Sequence, residues 1–429
     1  MKMRTYAFSG RVILDNVIRM GDVRLYMQGV NFFMSATSST TPAITNTNAA
    51  RETASLRAYS FAAYATQALV VSYFPLYFLD QGFSSQQIGI IYSTGPFVSI
   101  FANLLLGMAS DKYRTIKKLL HLLLFGQLVM VSLLLPIESF ALTCLIMFCF
   151  YFFQTPINPL SDSLLLLSST YTGTPYALIR IFGSLGFATA AYVFGLVLKH
   201  TGSAYTLPLT LITIAVTLLL TFMLKDYQGS MRKMNFSGFF KLLRKPKVVA
   251  FFSILLVIST AHRMYEGFLA VTLRQMGASD SLVGVAWLLS ACSEIPIFFL
   301  LGKYGHKFKE LPLLFAASLL YALRLLMVAK MHDPSMVVVT QLMHSVTFGI
   351  FFSTSLRYIS YLIPDDFRSS GQAVFAVVWN GISGVISGLM GGYVFGLFGR
   401  ETFYLIASGL ACAAAVGFMA KHVMERREG

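Results

Sequence analysis

Apolar residues along the chain gather into twelve long runs, each bounded by charges or by Gly and Pro. The runs centre on 57–79, 85–109, 118–136, 139–166, 176–199, 204–224, 248–274, 281–301, 311–330, 335–363, 371–398 and 401–422. Each lies close to the roughly 20 residues that carry a helix across a hydrocarbon core of about 30 Å. The pattern therefore predicts an all-α membrane protein with twelve transmembrane helices. Composition agrees: of 429 residues, 56% are apolar and only 12% charged, with 38 Phe and 20 Met. That balance excludes an ordinary soluble domain, a collagen-like chain and a disordered one. The four cysteines, Cys144, Cys149, Cys292 and Cys412, all fall inside apolar runs, so they read as reduced small hydrophobes rather than a disulfide framework.

A net charge of +15 admits a nucleic-acid partner in principle, but the placement of the charges argues for a membrane and against nucleic acid. Twenty-five lysines and arginines fall in or beside the N-terminal stretch, the even-numbered loops and the C-terminal tail; the odd-numbered loops hold only Lys199, Arg274, Lys330 and Arg400. The excess of positive charge marks the cytoplasmic side, which puts both termini there. Residues 1–56 lack the continuous apolar core of a secretory signal and read as a mobile cytoplasmic tail. A bundle of six helices over 57–224 follows. A basic linker over 225–247, carrying seven lysines and arginines, then leads to a second bundle over 248–424 and a short tail over 425–429. Repetition supports the division: Tyr192-Val-Phe-Gly-Leu196 in the fifth run recurs as Tyr393-Val-Phe-Gly-Leu397 in the eleventh, and Gly107 has its counterpart in Gly302. Two matches at offsets near 200 fit a duplicated six-helix unit that rocks about a central site.

Ionisable residues inside the runs are the most informative, because each costs at least about 2.5–3.5 kcal/mol at the middle of a membrane unless it is paired or wetted. They are Asp162, Arg180, His262, Arg263, Glu266, Glu294, Arg324 and His344, spread over six helices, and they have a common purpose only if they converge on one polar cavity. Arg263 and Glu266 have the spacing of a neutralising pair within one helix. His262 and Glu266 also have the spacing of a metal pair, but no further ligand motif accompanies them and no metal is expected. Arg357 lies near enough to Pro364 to snorkel to the surface. Aromatic residues such as Tyr64, Tyr73, Phe187, Tyr265, Trp287 and Trp379 suit the face of a sugar, nucleoside or aryl ring.

The loop Gly107-Met-Ala-Ser-Asp111-Lys112, with its following basic cluster, resembles the signature loop of the major facilitator superfamily. Its second copy carries His306 where the pattern has Asp. The resemblance implies two pseudo-symmetric six-helix bundles, with Gly107, Asp111 and Lys112 in a gating loop. Asp162 precedes Arg180 by 18 positions and Arg324 precedes His344 by 20, with Glu294 in the eighth helix, as in proton-coupled symporters of the lactose-permease type. In that type the first pair binds substrate and the second group couples protons. Here Thr347 stands where the permease has a further acid, which leaves proton uptake to Glu294, with Glu266 as the second candidate. A closer similarity over about 57–424, to the branch with 3-phenylpropionate transporters and nucleoside–proton symporters, rests on several pieces. These are Pro75-Leu-Tyr77, Arg180-Ile-Phe-Gly183-Ser184-Leu-Gly186, Trp287 with Glu294-Ile-Pro296, the segment Gln341 to Gly349, and Arg368-Ser-Ser-Gly-Gln372.

These resemblances imply a secondary transporter of a bacterial cell membrane, importing a sugar, nucleoside or aromatic acid with protons by alternating access. It would act as a monomer with the proton gradient as its energy source and no cofactor. Asp162, Arg180, Phe187, His262, Trp287 and Gln341 are the expected substrate contacts; Glu294, Arg324, His344 and Glu266 are the expected proton-coupling group. Drug–proton antiport is the alternative on the same fold, disfavoured because Gly183, Gly186 and Gly195 in the fifth helix come without a proline. A non-transporting receptor or scaffold predicts neutral helix interiors, and an enzyme needs a Ser-His, paired-Asp or metal constellation; neither pattern is present.

Overall fold

The computed structural model describes residues 46–227, 244–364 and 368–428. Among them the secondary structure is helical throughout, and the chain crosses the molecule twelve times. The first half comprises α1 (Asn46–Ser72, resumed as Phe74–Asp80 after Tyr73), α2 (Ser85–Tyr113), α3 (Lys117–Leu134), α4 (Phe140–Gln154, resumed as Ile157–Thr172), α5 (Tyr176–Thr201) and α6 (Thr206–Phe222). The second half comprises α7 (Pro246–Gln275), α8 (Asp280–Tyr304), α9 (Glu310–Lys330), α10 (Pro334–Val339 to Ile350–Leu362), and α11 and α12. Those last two share the run Arg368–Ala376 to Ser383–Glu428, divided at Gly399, whose φ of 77° only glycine adopts readily. Eleven helical runs are long and apolar enough to cross a bilayer, and the last, Gly371–Arg427, contains two spans.

Local chemistry sets several of the boundaries. The Ser84 hydroxyl accepts from the Gln87 amide at 3.3 Å while the Gln87 side chain accepts from the Ser84 amide at 2.9 Å, a reciprocal cap that starts α2. Gly173, at φ 70°, ends α4. Pro156 interrupts α4, since a proline lacks the amide hydrogen that would continue the helix. Apolar side chains such as Ile212, Leu219 and Val216 stay exposed on the outer face of α6, as a helix facing hydrocarbon requires.

One boundary differs from the sequence expectation. The N-terminal tail was expected to run to residue 56, but α1 begins at Asn46. The added turns are amphipathic rather than apolar. Glu52 is buried and pairs with Lys225 at 2.8 Å, and Thr53 bonds the Thr174 hydroxyl at 3.0 Å. Hydropathy does not register a turn whose inner face is polar. Most of the expected linker, 228–243, lies outside the described residues.

The helices form two six-helix bundles. In the first, α1 packs on α5 and α6, α2 on α4, and α3 on α4 and α6; in the second, α7 packs on α11 and α12, and α9 on α12. Two seams join the bundles on the side of the odd-numbered loops. Along one, Gly89 of α2 faces Gly388 and Gly392 of α11 so closely that a methyl group on Gly89 would strike the Gly388 carbonyl. Along the other, Gly195 of α5 and Gly284 of α8 crowd against the opposite backbone, and the Tyr73 hydroxyl donates to the Ala191 carbonyl. The repeated Tyr-Val-Phe-Gly-Leu segment acquires a meaning here. Gly195 and its counterpart Gly396 occupy equivalent seams, Gly396 leaving room for the Gln86 side chain. Glycine is needed at these positions because only a missing Cβ lets the backbones approach this far.

Candidate functional site

Between the bundles, the ionisable residues of the helix interiors assemble into three groups. In the first bundle, Arg180 of α5 donates to Asp162 of α4 at 3.1 Å and to the Tyr64 hydroxyl of α1 at 2.6 Å. Gly183 makes room for this arrangement, since a Cβ there would meet both Tyr64 and Arg180. The side chains of Asp162 and Arg180 remain 38% and 27% exposed. Arg180 lies in the second turn of α5, at the end away from the seams.

The second group spans α7 and α11. Arg263 donates to Glu266 at 2.8 Å, to the Trp379 carbonyl at 3.3 Å and to the Asn380 side-chain oxygen. Trp379 and Asn380 lie in a π-helical stretch, Val377–Ile382, which widens the turn and tips this carbonyl and amide toward α7. Glu266 also lies 3.4 Å from His262 Nε2.

The third group is a relay. Arg324 of α9 is 1% exposed, and its guanidinium donates to Gln341 at 2.7 Å, Tyr265 at 2.9 Å and Thr347 at 3.3 Å. It also lies 3.2 Å from His344 Nδ1. A guanidinium can only donate, so Nδ1 accepts and the proton of the neutral ring sits on Nε2. That nitrogen faces Glu294 Oε1 of α8 at 3.2 Å. His344 thus stands between the arginine and the acid. No carboxylate touches Arg324 among the described residues, and its Nε has no partner. Helix α10 is irregular where these groups attach, a 3₁₀ turn over Thr340–Met343 followed by a π turn over Ser345–Gly349.

The sequence-predicted residues sort accordingly. Asp162 meets Arg180, and Glu294, His344 and Arg324 come together, but Arg324 reaches Glu294 only through His344 rather than directly. Phe187 of α5 and Trp287 of α8 meet edge to face across the bundle boundary, ring centres 6.0 Å apart. Three expected substrate contacts are instead packed away in this conformation. Trp287 is buried, Gln341 is buried and holds Arg324, Tyr265 and Ser290, and His262 is enclosed between Trp379 and Phe348 with Tyr321 at its Nδ1. Packing satisfies the polar atoms of Gln341 and His262, whereas the buried Trp287 Nε1 has no partner. Gly107, Asp111 and Lys112, expected in a gating loop, lie instead on the last turns of α2, with the connecting loop at 114–116: Gly107 has open space around it, Asp111 is exposed with no ion-pair partner among the described residues, and Lys112 lies over the Tyr113 ring. The anionic partner of that loop is Asp226, past the end of α6, whose carboxylate accepts from the Ile116 and Lys117 amides at 3.0 and 3.1 Å and from the Thr115 hydroxyl. Arg357, expected at the surface, pairs with Glu310 at 2.8 Å and donates to the Phe308 carbonyl at 3.0 Å, tying the end of α10 to the loop before α9. Asn380, Ser290 and Asp226 went unpredicted; uncharged polar residues carry little cost in a helix run, and Asp226 sits in a loop with no local signature.

Twelve membrane-spanning helices in two bundles, with paired charges in the helix interiors, define a membrane transporter of the major facilitator type. The chain belongs to the MFS_1 like family, whose model matches residues 53–406. It is 30% identical over 360 residues to the maltose permease of Geobacillus stearothermophilus, covering 80% of this chain and 87% of that one. With the probable 3-phenylpropionic acid transporter of Escherichia coli it shares 26% identity over 332 residues, 76% of this chain and 86% of that one. The crystal structure of the nucleoside transporter NupG superposes with a TM-score of 0.78 at 17% identity, covering 86% of this chain and 98% of that one. These relatives are transporters, not enzymes.

Proposed function

We propose that the protein is a proton-coupled symporter of a small uncharged solute, importing it across a bacterial cell membrane with both termini in the cytoplasm. The observation that carries the coupling is His344, held in one tautomer by Arg324 and presenting its Nε2–H to Glu294. A proton on Glu294 cancels the charge this N–H faces, and a buried network whose charge has changed favours a different arrangement of the helices that carry it. Glu266, beside Arg263 and His262, is a weaker candidate because Arg263 already neutralises it directly.

Charge balance supports the choice of solute. The helix interiors of the two bundles hold three arginines, Arg180, Arg263 and Arg324, against three acids, Asp162, Glu266 and Glu294. A balanced site gains nothing from a carboxylate on the solute, so a sugar or nucleoside fits better than an aromatic acid. The permease and nucleoside transporter among the relatives are compatible with this. Asp162, Arg180 and Phe187 are the groups still reachable by such a solute. The test is Glu294→Gln in reconstituted vesicles. The amide keeps the size and removes the charge, so the variant is expected to exchange labelled solute across the bilayer while failing to accumulate it against a pH gradient. Full proton-driven accumulation by Glu294→Gln, with loss in Glu266→Gln, transfers the role to Glu266.

A further inference from the structure

A groove of about 500 Å³ runs along the outer wall of the first bundle, between α1, α5 and α6 and near the side of the termini. Its floor is formed by Ala54 and Ala58, one turn apart on α1 and too small to fill the space, and its walls by Phe61, Phe182 and Leu220. Every one of these side chains is apolar, and Ala54, Ala58 and Phe61 are exposed to whatever surrounds the helices.

Arg57 breaks that apolar surface. Its Nε donates to the Leu178 carbonyl at 3.2 Å and its guanidinium lies over the Phe182 ring, centred 5.1 Å away. The two contacts hold the fork in place and leave its terminal nitrogens without a partner among the described residues. No acid answers it among the described residues: the nearest in sequence, Glu52, is buried and committed to Lys225. Further upstream on α1, Arg51 is exposed and likewise has no ion-pair partner among the described residues.

A fixed cation on a lipid-facing wall calls for a counter-anion, and a free anion accounts for the arginine while leaving the groove unexplained. An acyl chain accounts for the groove and leaves the arginine unexplained. We propose that this groove binds an anionic phospholipid, one acyl chain lying along Ala54 and Ala58 and the headgroup phosphate held by the terminal nitrogens of Arg57. The guanidinium fork matches phosphate oxygens in pairs, and anionic lipids are attracted to cationic groups at the membrane surface.

Native mass spectrometry of the purified full chain in a nonionic detergent tests it, with phosphatidylglycerol and phosphatidylcholine of identical chains as probes. Wild type is expected to retain one phosphatidylglycerol at concentrations where phosphatidylcholine is lost. Arg57→Gln should weaken that retention by at least about tenfold, as expected for one charge-assisted contact, and Arg57→Lys should recover only part of it, since a point charge replaces the fork. Ala58→Leu, which fills the groove and leaves Arg57 alone, should weaken phosphatidylglycerol binding too, and glycerol 3-phosphate should not compete. Equal retention of the two lipids, unchanged binding in Arg57→Gln, or competition by glycerol 3-phosphate as effective as by the lipid would each overturn the assignment. Should Arg57→Gln fail to fold, Ala58→Leu alone decides between a groove and a surface charge.

Discussion

Arg180 and Arg324 are both interior arginines, yet their surroundings differ in kind. Arg180 has a carboxylate at 3.1 Å and keeps solvent access; Arg324 is sealed among a histidine, a threonine, a tyrosine and a glutamine. An ion pair left half-exposed is free to trade one partner for a solute, whereas a sealed cation can only reorganise with its whole shell. Arg180 is therefore the better anchor for substrate. Arg180→Lys should weaken solute binding by about tenfold, because a point charge cannot hold Asp162, Tyr64 and a hydroxyl of the solute together. Equilibrium binding measures this, and near-normal affinity in a folded variant would make the pair a structural one. These charged residues were legible in the sequence because an ion in hydrocarbon needs a reason. Asn380 and Ser290 were not, since an amide or hydroxyl is tolerated in a helix run for many reasons. Nor was the position of His344 between Arg324 and Glu294, which depends on the rotation of three helices that spacing alone leaves undetermined.

At the level of elements, membrane helices announce themselves by length and hydropathy, and eleven of the twelve starts lie within a few residues of the apolar runs. The exception, α1, begins with turns whose buried face is polar. Breaks inside helices are another matter. Pro156 signals the interruption of α4, but the π turns in α10 and α11 come from residues that would build an ordinary helix elsewhere, so tertiary contacts with α7, α8 and α9 must select them. The glycine seams carry the clearest consequence. On Gly388, a Cβ would come within 2.8 Å of the Gly89 carbonyl and 2.9 Å of Ser93. Overpacking of this kind costs about 1–3 kcal/mol, and the cost falls only on the conformation in which α2 and α11 touch. Gly388→Val should accordingly shift the population toward opening on the odd-loop side, about tenfold for each 1.4 kcal/mol. A cysteine replacing Ser281 at the other seam reports it: alkylation from the odd-loop side should accelerate several-fold in the Gly388→Val background. An unchanged rate would mean that the two seams open independently.

For the whole molecule, the decisive quantity is which side of the membrane the closed seams face. The seams lie with the odd-numbered loops, and the half-buried Arg180, in the second turn of α5, lies toward the other side. The positive charge of the sequence collects with the termini and the even-numbered loops, the side that insertion retains in the cytoplasm. Under the proposed orientation the conformation is open to the cytoplasm, the state from which the proposed importer releases its solute. The assignment stands or falls with the topology, so the experiment must read the topology alone. Lys309, in the loop before α9, and Glu138, in the loop before α4, are both exposed and lie on opposite sides. In a background with the four native cysteines replaced, two of which are exposed, single cysteines at these positions report sidedness to a membrane-impermeant maleimide. Glu138→Cys should label in intact cells, and Lys309→Cys only in inverted vesicles. The reverse pattern would turn the molecule over, and the same conformation would then be open to the outside.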